Sequence, residues 1–346
     1  MLTFGVMFDP VAEAADWSRF AEERGFEYIY FIDSPVRWRE MTPFMTLAAL
    51  NTKKAKIGAC VTNPVSRNPV VTASSHAALH ELSGGRALIG LGKGDSALRT
   101  LGERPARLKA FQEKALFIQR LANGETVDYT PQVPAHEQWH AQGSGAIRLQ
   151  LQWAPKQHIP LYIAGYSPKV MRWAGAVADG VFLQIADPDT IAWCTGNIRA
   201  GAAKAGRDPR AIDIVCAAPT AVNDDLHAAC DAVRGFPAYV SNHVVDMLNY
   251  YDRSEFPESL LKSLAAKQVY DYREHTSSHA EHSGSFPDDV VESFTIVGSA
   301  ERCANKIKLL ESLGVTQIGL YFFGEPDQTV RSTIRTYADQ IMPRVR

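Results

Sequence analysis

Glycine recurs at alternate positions in residues 87–96, Ala-Leu-Ile-Gly-Leu-Gly-Lys-Gly-Asp-Ser. Gly92 and Gly94 let the backbone approach a ligand closely, or take positive φ, with no Cβ in the way. Asp95 and Ser96 follow as short polar side chains that either cap a turn or meet an anion. The third glycine comes too early for the dinucleotide fingerprint, and the stretch is not a Walker A loop. By itself it reads equally as a tight strand-to-helix turn. A second stretch, Gly165-Tyr166-Ser167-Pro168-Lys169, runs directly into a helical pattern. The free N–H groups and positive dipole end of such a helix attract an anion. Ser167 adds a hydroxyl and Lys169 a charge, so this is a candidate phosphate site. The same residues also make an ordinary helix start, with Ser167 at the N-cap and Pro168 at N1, and the two roles are compatible.

Histidine, arginine and tyrosine concentrate near residue 275. His275, His279 and His282 stand at i, i+4 and i+7, with Glu274 and Glu281 alongside. On a continuous helix the imidazoles would share one face, as zinc ligands do. Ser, Thr and Gly crowd the stretch, a continuous helix is not expected there, and no metal is predicted. Tyr270, Arg273 and His275 are instead the expected catalytic residues, with His275 as proton donor or substrate contact. The five cysteines, Cys60, Cys194, Cys216, Cys230 and Cys303, are scattered and include no Cys-x-x-Cys pair. That pattern predicts reduced thiols in a cytoplasmic protein. Cys60 lies in an apolar run with no adjacent His or Asp to activate it, so packing is its expected role. Arg37, Trp38 and Arg39 either meet an acidic substrate or cover a rim.

The elements that position these residues follow from periodicity. Charged residues make up 21% of the chain and the net charge is −2, so neither nucleic acid nor an anionic membrane is an expected partner. No apolar run reaches the roughly 18–20 residues of a membrane span. The N-terminus runs straight into a strand pattern, with no basic region ahead of it as a signal peptide would have. Short apolar strands are predicted at 2–8, 28–32, 57–61, 87–91, 161–164, 180–184, 212–218 and 317–322. Helical patterns separate them. Such alternation predicts one α/β domain over residues 1–346, a single (β/α)8 TIM barrel. The alternation breaks at about 125–158 and 235–292, read as insertions at the C-terminal face of the strands. In a barrel that face carries the ligand, and it collects Asp33, Thr62, Asn63, the 92–96 glycines and Gly165–Ser167.

Several of these strand ends together resemble the luciferase-like superfamily. The carriers are Gly-Ala-Cys-Val-Thr-Asn-Pro at 58–64, Ser-Gly-Gly-Arg and the glycine run at 83–96, and Leu-Tyr-Ile-Ala-Gly-Tyr-Ser-Pro-Lys at 161–169. Ala-Asp-Gly-Val at 178–181, Tyr-Asp-Tyr-Arg-Glu-His at 270–275 and Gly-Val-Thr-Gln-Ile at 314–318 extend the likeness over nearly the whole chain. The superfamily contains FMN-dependent monooxygenases and oxidoreductases using the deazaflavin coenzyme F420. The branch of methylenetetrahydromethanopterin reductase is the most similar in look. The resemblance implies that Thr62 and Asn63 lie beside the isoalloxazine-type ring, with Asp33 under it. It implies a non-prolyl cis peptide between Cys60 and Val61 next to the ring. Gly92, Lys93, Gly94, Asp95 and Ser96 would line the ring and ribityl chain. Gly165, Tyr166, Ser167, Pro168 and Lys169 would hold the phosphate.

The resemblance leaves the cofactor open between FMN and coenzyme F420. Some sugar-oxidising deazaflavin relatives place a histidine after the strand-two aspartate and a glutamate in the glycine loop. Ser34 and Lys93 stand at those positions here. Serine is a poor proton-transfer group at neutral pH, and lysine offers a cation in place of a carboxylate. The expectation is therefore an FMN-dependent monooxygenase using O2 and a small organic substrate, with a flavin reductase as partner to supply reduced FMN. An F420-dependent reductase or dehydrogenase is the alternative, and a non-catalytic flavin-binding protein is a third reading. Phe44, Met45, Leu47 and Leu50 predict a homodimer through the helices after strands two and three. The 235–292 insertion is expected to cover the strand ends and keep water from the reaction.

Overall fold

A computed structural model describes residues 1–130, 147–154, 156–264, 286–322 and 327–346. Eight parallel strands close a barrel: β1 (Thr3–Phe8), β2 (Tyr28–Phe31), β3 (Lys56–Ala59), β4 (Ala87–Leu91), β5 (Leu161–Ala164), β6 (Gly180–Leu183), β7 (Asp213–Cys216) and β8 (Gln317–Tyr321). Their order is β1–β8–β7–β6–β5–β4–β3–β2. Closure is made between β1 and β8, with Thr3 opposite Gln317 and Met7 opposite Tyr321. The strands read as apolar runs because both faces are covered, the inner by the plug and the outer by helices. The expected barrel is thus present, with strand ends shifted by a residue or two. The run expected at 57–61 leaves the sheet after Ala59, and the Cys60–Val61 peptide beyond it is cis, as expected.

The plug at the N-terminal half of the barrel is aromatic. Tyr30 and Tyr162 meet Phe182 with ring centroids 5.1 and 5.4 Å apart. Buried phenols need partners. Tyr30 donates to Gln317 Oε1 at 2.5 Å, and Tyr162 donates to the Asp213 carboxylate. This fully satisfied floor leaves the opposite end of the barrel as the open one.

The first insertion carries a short antiparallel pair, Val127–Tyr129 with Ile147–Leu149. The second contains the helices Phe236–Leu248, Glu258–Lys262 and Asp288–Phe294 among its described residues. Phe236–Leu248 has an apolar stripe at helical spacing, which fixes it on the barrel. A short strand just beyond Asp288–Phe294, Ile296–Gly298, pairs with Thr220–Val222 outside the barrel. Asp187 ties this insertion down. Its carboxylate caps the helix Pro188–Lys204 through Thr190 N at 2.8 Å. The same carboxylate accepts from Ser259 Oγ and Ser293 Oγ, both at 2.6 Å, on the two flanks of the insertion. On the helix Thr42–Asn51, Leu47 and Leu50 are exposed, whereas Met45 is buried and Phe44 packs partly inward. Only half of the surface expected to be apolar there is on the outside. Among the described residues no helix is long and apolar enough to cross a membrane.

Candidate active site

A cleft with a cavity volume of about 220 Å³, open to solvent, lies over the C-terminal ends of β2 to β6 and β8. Its charged centre is Asp33, just after β2. The Asp33 side chain is 1% exposed and receives both arms of Arg67, Nε to Oδ2 and Nη2 to Oδ1, each at 2.8 Å. Thr62 Oγ1 donates to Oδ2 at 2.6 Å. Arg67 also reaches Glu40 Oε1 at 2.7 Å, and the two carboxylates hold its guanidinium firmly charged. A bidentate arginine and a hydroxyl give the Asp33 carboxylate three donors, two on Oδ2 and one on Oδ1, so it is held as the partner of Arg67 and Thr62. Asn63 is equally committed. Its Oδ1 accepts from Val65 N and Ser66 N at 3.0 and 2.9 Å, shaping the turn after β3.

The glycine loop after β4 packs against that turn. A Cβ on Gly92 would stand 2.8 Å from Val61 Cγ2, and Gly94 takes φ +85° as it enters the short helix Asp95–Arg99. Both positions therefore require glycine on packing grounds. Lys93 lines the cleft between them, and Asp95 and Ser96 follow. Asp95 Oδ1 accepts from Arg99 Nε at 2.5 Å, and Arg99 also pairs with Asp246 of the cover helix Phe236–Leu248. The loop after β5 brings Gly165, Tyr166 and Ser167 to the cleft ahead of the helix Pro168–Val177. Ser167 is the N-cap by backbone geometry, yet its hydroxyl makes no capping bond. That leaves the helix N-terminus open to an anion.

The cover helix supplies the remaining wall with Phe236, Tyr239, His243, Asp246 and Met247. Gln184, after β6, joins wall to floor. Its carbonyl accepts from Tyr166 OH at 2.8 Å and its Oε1 from Tyr239 OH at 2.9 Å. The His243 ring packs against the two phenols, 5.3 Å from Tyr166 and 4.9 Å from Tyr239. Burial pushes the Tyr166 and Tyr321 phenols and the Cys60 thiol up, so all three stay neutral.

The cleft brings together Asp33, Cys60, Val61, Thr62, Asn63, Gly92, Lys93, Gly94, Asp95, Ser96, Gly165, Tyr166 and Ser167. It does not include Pro168, buried in the first helical turn, or Lys169. The Lys169 ammonium lies over the Tyr251 ring at 5.8 Å, a cation–π contact. Tyr270, Arg273 and His275 lie outside the described residues, as do His279 and His282. Among the described residues no cluster of His, Cys, Asp and Glu could hold a metal ion. Sequence reasoning missed Arg67, Tyr239 and His243. Arg67 carries no signal beyond being basic in a proline-bounded loop. Phe236, Tyr239, His243 and Met247 do carry one, a stripe at i, i+3, i+7 and i+11.

Fold and cleft define a (β/α)8 barrel with its site at the C-terminal strand ends. The sequence places it further. Residues 3–317 match the luciferase-like monooxygenase family, and the chain belongs to that family of oxidoreductases. It is 30% identical over 325 residues to a 5,10-methylenetetrahydromethanopterin reductase of Methanolobus tindarius, covering 92% of this chain and 93% of that one. It is 28% identical over 255 residues to an F420-dependent glucose-6-phosphate dehydrogenase of Gordonia bronchialis, covering 66% and 69%. The structure of the coenzyme F420-dependent tetrahydromethanopterin reductase from Methanopyrus kandleri superposes with a TM-score of 0.72 at 23% identity, over 100% of this chain and 99% of that one.

Proposed function

We propose that this chain is an oxidoreductase that binds coenzyme F420 in the cleft and transfers hydride between it and a small organic substrate. The observation that carries the reading is the 30% identity, over nearly the full length, to a methylenetetrahydromethanopterin reductase. The partial match to an F420-dependent dehydrogenase points the same way. The cleft suits a flat ring with an anionic tail. Its glycine floor admits no Cβ at Gly92, and the Ser167 hydroxyl and adjoining helix N-terminus stand uncapped. When bound, the deazaflavin supplies a two-electron hydride donor or acceptor. The protein does the rest. Gly92 and Gly94 keep the floor open, and the Asp33–Arg67 pair fixes Thr62 beside it. Gly165 to Ser167 receive the anionic tail. The cover helix limits water at the reacting atoms.

This reverses the order expected from the sequence, in which reduced FMN and O2 came first. The match of residues 3–317 to the luciferase-like monooxygenase family keeps the FMN monooxygenase as second reading, and Lys93 lines the cleft. An ammonium there suits an anionic reduced ring of either kind, so Lys93 does not separate them. A flavin reductase partner belongs to the FMN reading alone. Exposed Leu47 and Leu50 support assembly as a homodimer, which light scattering tests. All five cysteines are free and buried, which suits a reducing cytoplasm. The deciding experiment titrates purified protein with F420 and with FMN by fluorescence quenching. F420 binding at least about tenfold tighter than FMN, a difference of about 1.4 kcal/mol, supports the reading. Tight FMN binding with none of F420 reverses it.

A further inference from the structure

A hydride transfer to a polar double bond needs a proton as well, and the described cleft offers few groups able to give one. Asp33 is held by Arg67 and Thr62, and Asp95 and Asp246 are both paired with Arg99. Tyr166 and Tyr239 spend their hydroxyl protons on Gln184. Ser34, just after Asp33, is fully buried and does not line the cleft. His243 remains. It lines the cleft, its ring packs against both tyrosines, and neither ring nitrogen hydrogen-bonds to a described residue. Imidazole is the side chain suited to take and give a proton between about pH 5 and 8.

We propose that His243 is the proton-transfer residue of this site, acting on a carbonyl or imine substrate. The inference rests on the hydride-transfer reading. As hydride reaches the carbon of the C=O or C=N bond, the bond's electron pair moves to O or N. The imidazolium of His243 gives its proton to that atom and is left neutral. Solvent then restores the proton at the open mouth of the cleft. The substrate gains two electrons and two hydrogens, and the bound deazaflavin is oxidised by the same two electrons. In the reverse direction neutral His243 takes the proton. Asp33, Lys93 and Asp95 share the cleft with the imidazole, Asp246 shares its helix, and Tyr166 and Tyr239 pack against it.

The test compares wild type with His243→Gln and His243→Asn in three measurements. F420 affinity is read by fluorescence, and both variants are expected to match wild type. Protein labelled with ¹³C at histidine Cε1 is titrated with pH by NMR, the His243 signal being assigned by its loss in His243→Gln. That signal is expected to move when F420 is added and to titrate within the complex. Oxidation of reduced F420 is then followed with cyclohexanone and with its N-methylimine. The variants are expected to lose about 10²–10⁴-fold in rate, with the acid-side dependence on pH gone. A His243 signal that F420 leaves unmoved overturns the inference, as do variants with a wild-type pH profile. Should neither probe turn over, the NMR result decides alone. If wild type fails to bind F420, the hydride-transfer reading itself falls. If it binds F420 and the variants behave as wild type, only the role of His243 falls.

Discussion

Replacing Arg67 by Met tests whether Asp33 is a held charge. The substitution keeps an unbranched apolar stem and removes the two 2.8 Å bonds to Asp33 and the bond to Glu40. It leaves a carboxylate whose side chain is 1% exposed with one remaining donor, Thr62 Oγ1. Breaking a buried pair from one side costs about 3–5 kcal/mol, because the partner charge stays behind. Arg67 is 20% exposed and water can reach part of the gap, so the lower end, about 3 kcal/mol, is expected. That is a shift of about 100-fold in the folding equilibrium and a large part of a typical 5–15 kcal/mol stability. Urea unfolding followed by tryptophan fluorescence reads it as a lower midpoint at unchanged slope. The double variant Asp33→Asn/Arg67→Met removes the stranded charge, and a coupling energy of about 2 kcal/mol is expected from the cycle. Glu40 is 47% exposed, so Glu40→Gln is expected to cost less than about 1 kcal/mol. The reasoning is refuted if Arg67→Met stays within about 1 kcal/mol of wild type, or if the double variant recovers nothing.

Gly90→Ala would place its Cβ 1.8 Å from the Ala59 carbonyl oxygen, forcing β3 and β4 apart. It is expected to cost about 4 kcal/mol or more, read as a fall in melting temperature or loss of soluble protein. Asp187→Ala removes the carboxylate that accepts from Ser259 and Ser293 at 2.6 Å, so amide exchange in residues 236–264 should speed up while the barrel strands stay protected. His227 donates to Asp288 Oδ2 at 2.8 Å, and that bond together with Asp231 holds its imidazolium above the ordinary value of 6.5. The pair's stabilisation is therefore full below pH 6.5 and is lost as pH rises through the folded value. His227→Gln should lower the urea midpoint at pH 5.5 and leave it unchanged at pH 8.5.

The barrel was legible because its strands are buried on both faces, so each reads as an apolar run between glycine- or proline-marked ends. Strand ends also carry the cleft, which is why Asp33, Thr62, Asn63 and both glycine stretches could be placed on it from order alone. Charges were harder. Asp33 could be placed at the cleft but its pairing could not, because Arg67 is 34 residues away in a loop whose sequence gives no sign of its direction. Lys169 stands beside a helix start, as an anion ligand would, and nothing in the sequence signals Tyr251 beneath its ammonium. The cover helix shows a third kind of difficulty. Its stripe of Phe236, Tyr239, His243 and Met247 has the periodicity of core, and core is what such a stripe usually means. What turns the stripe into a wall is Gln184, which takes hydrogen bonds from a tyrosine on the helix and a tyrosine after β5. A residue that bonds one tyrosine 18 positions before it and another 55 positions after it belongs to neither pattern, so periodicity cannot reveal it. The same bridge that hid the wall from the sequence consumes both phenol protons, and so leaves the imidazole beside them as the group able to move one.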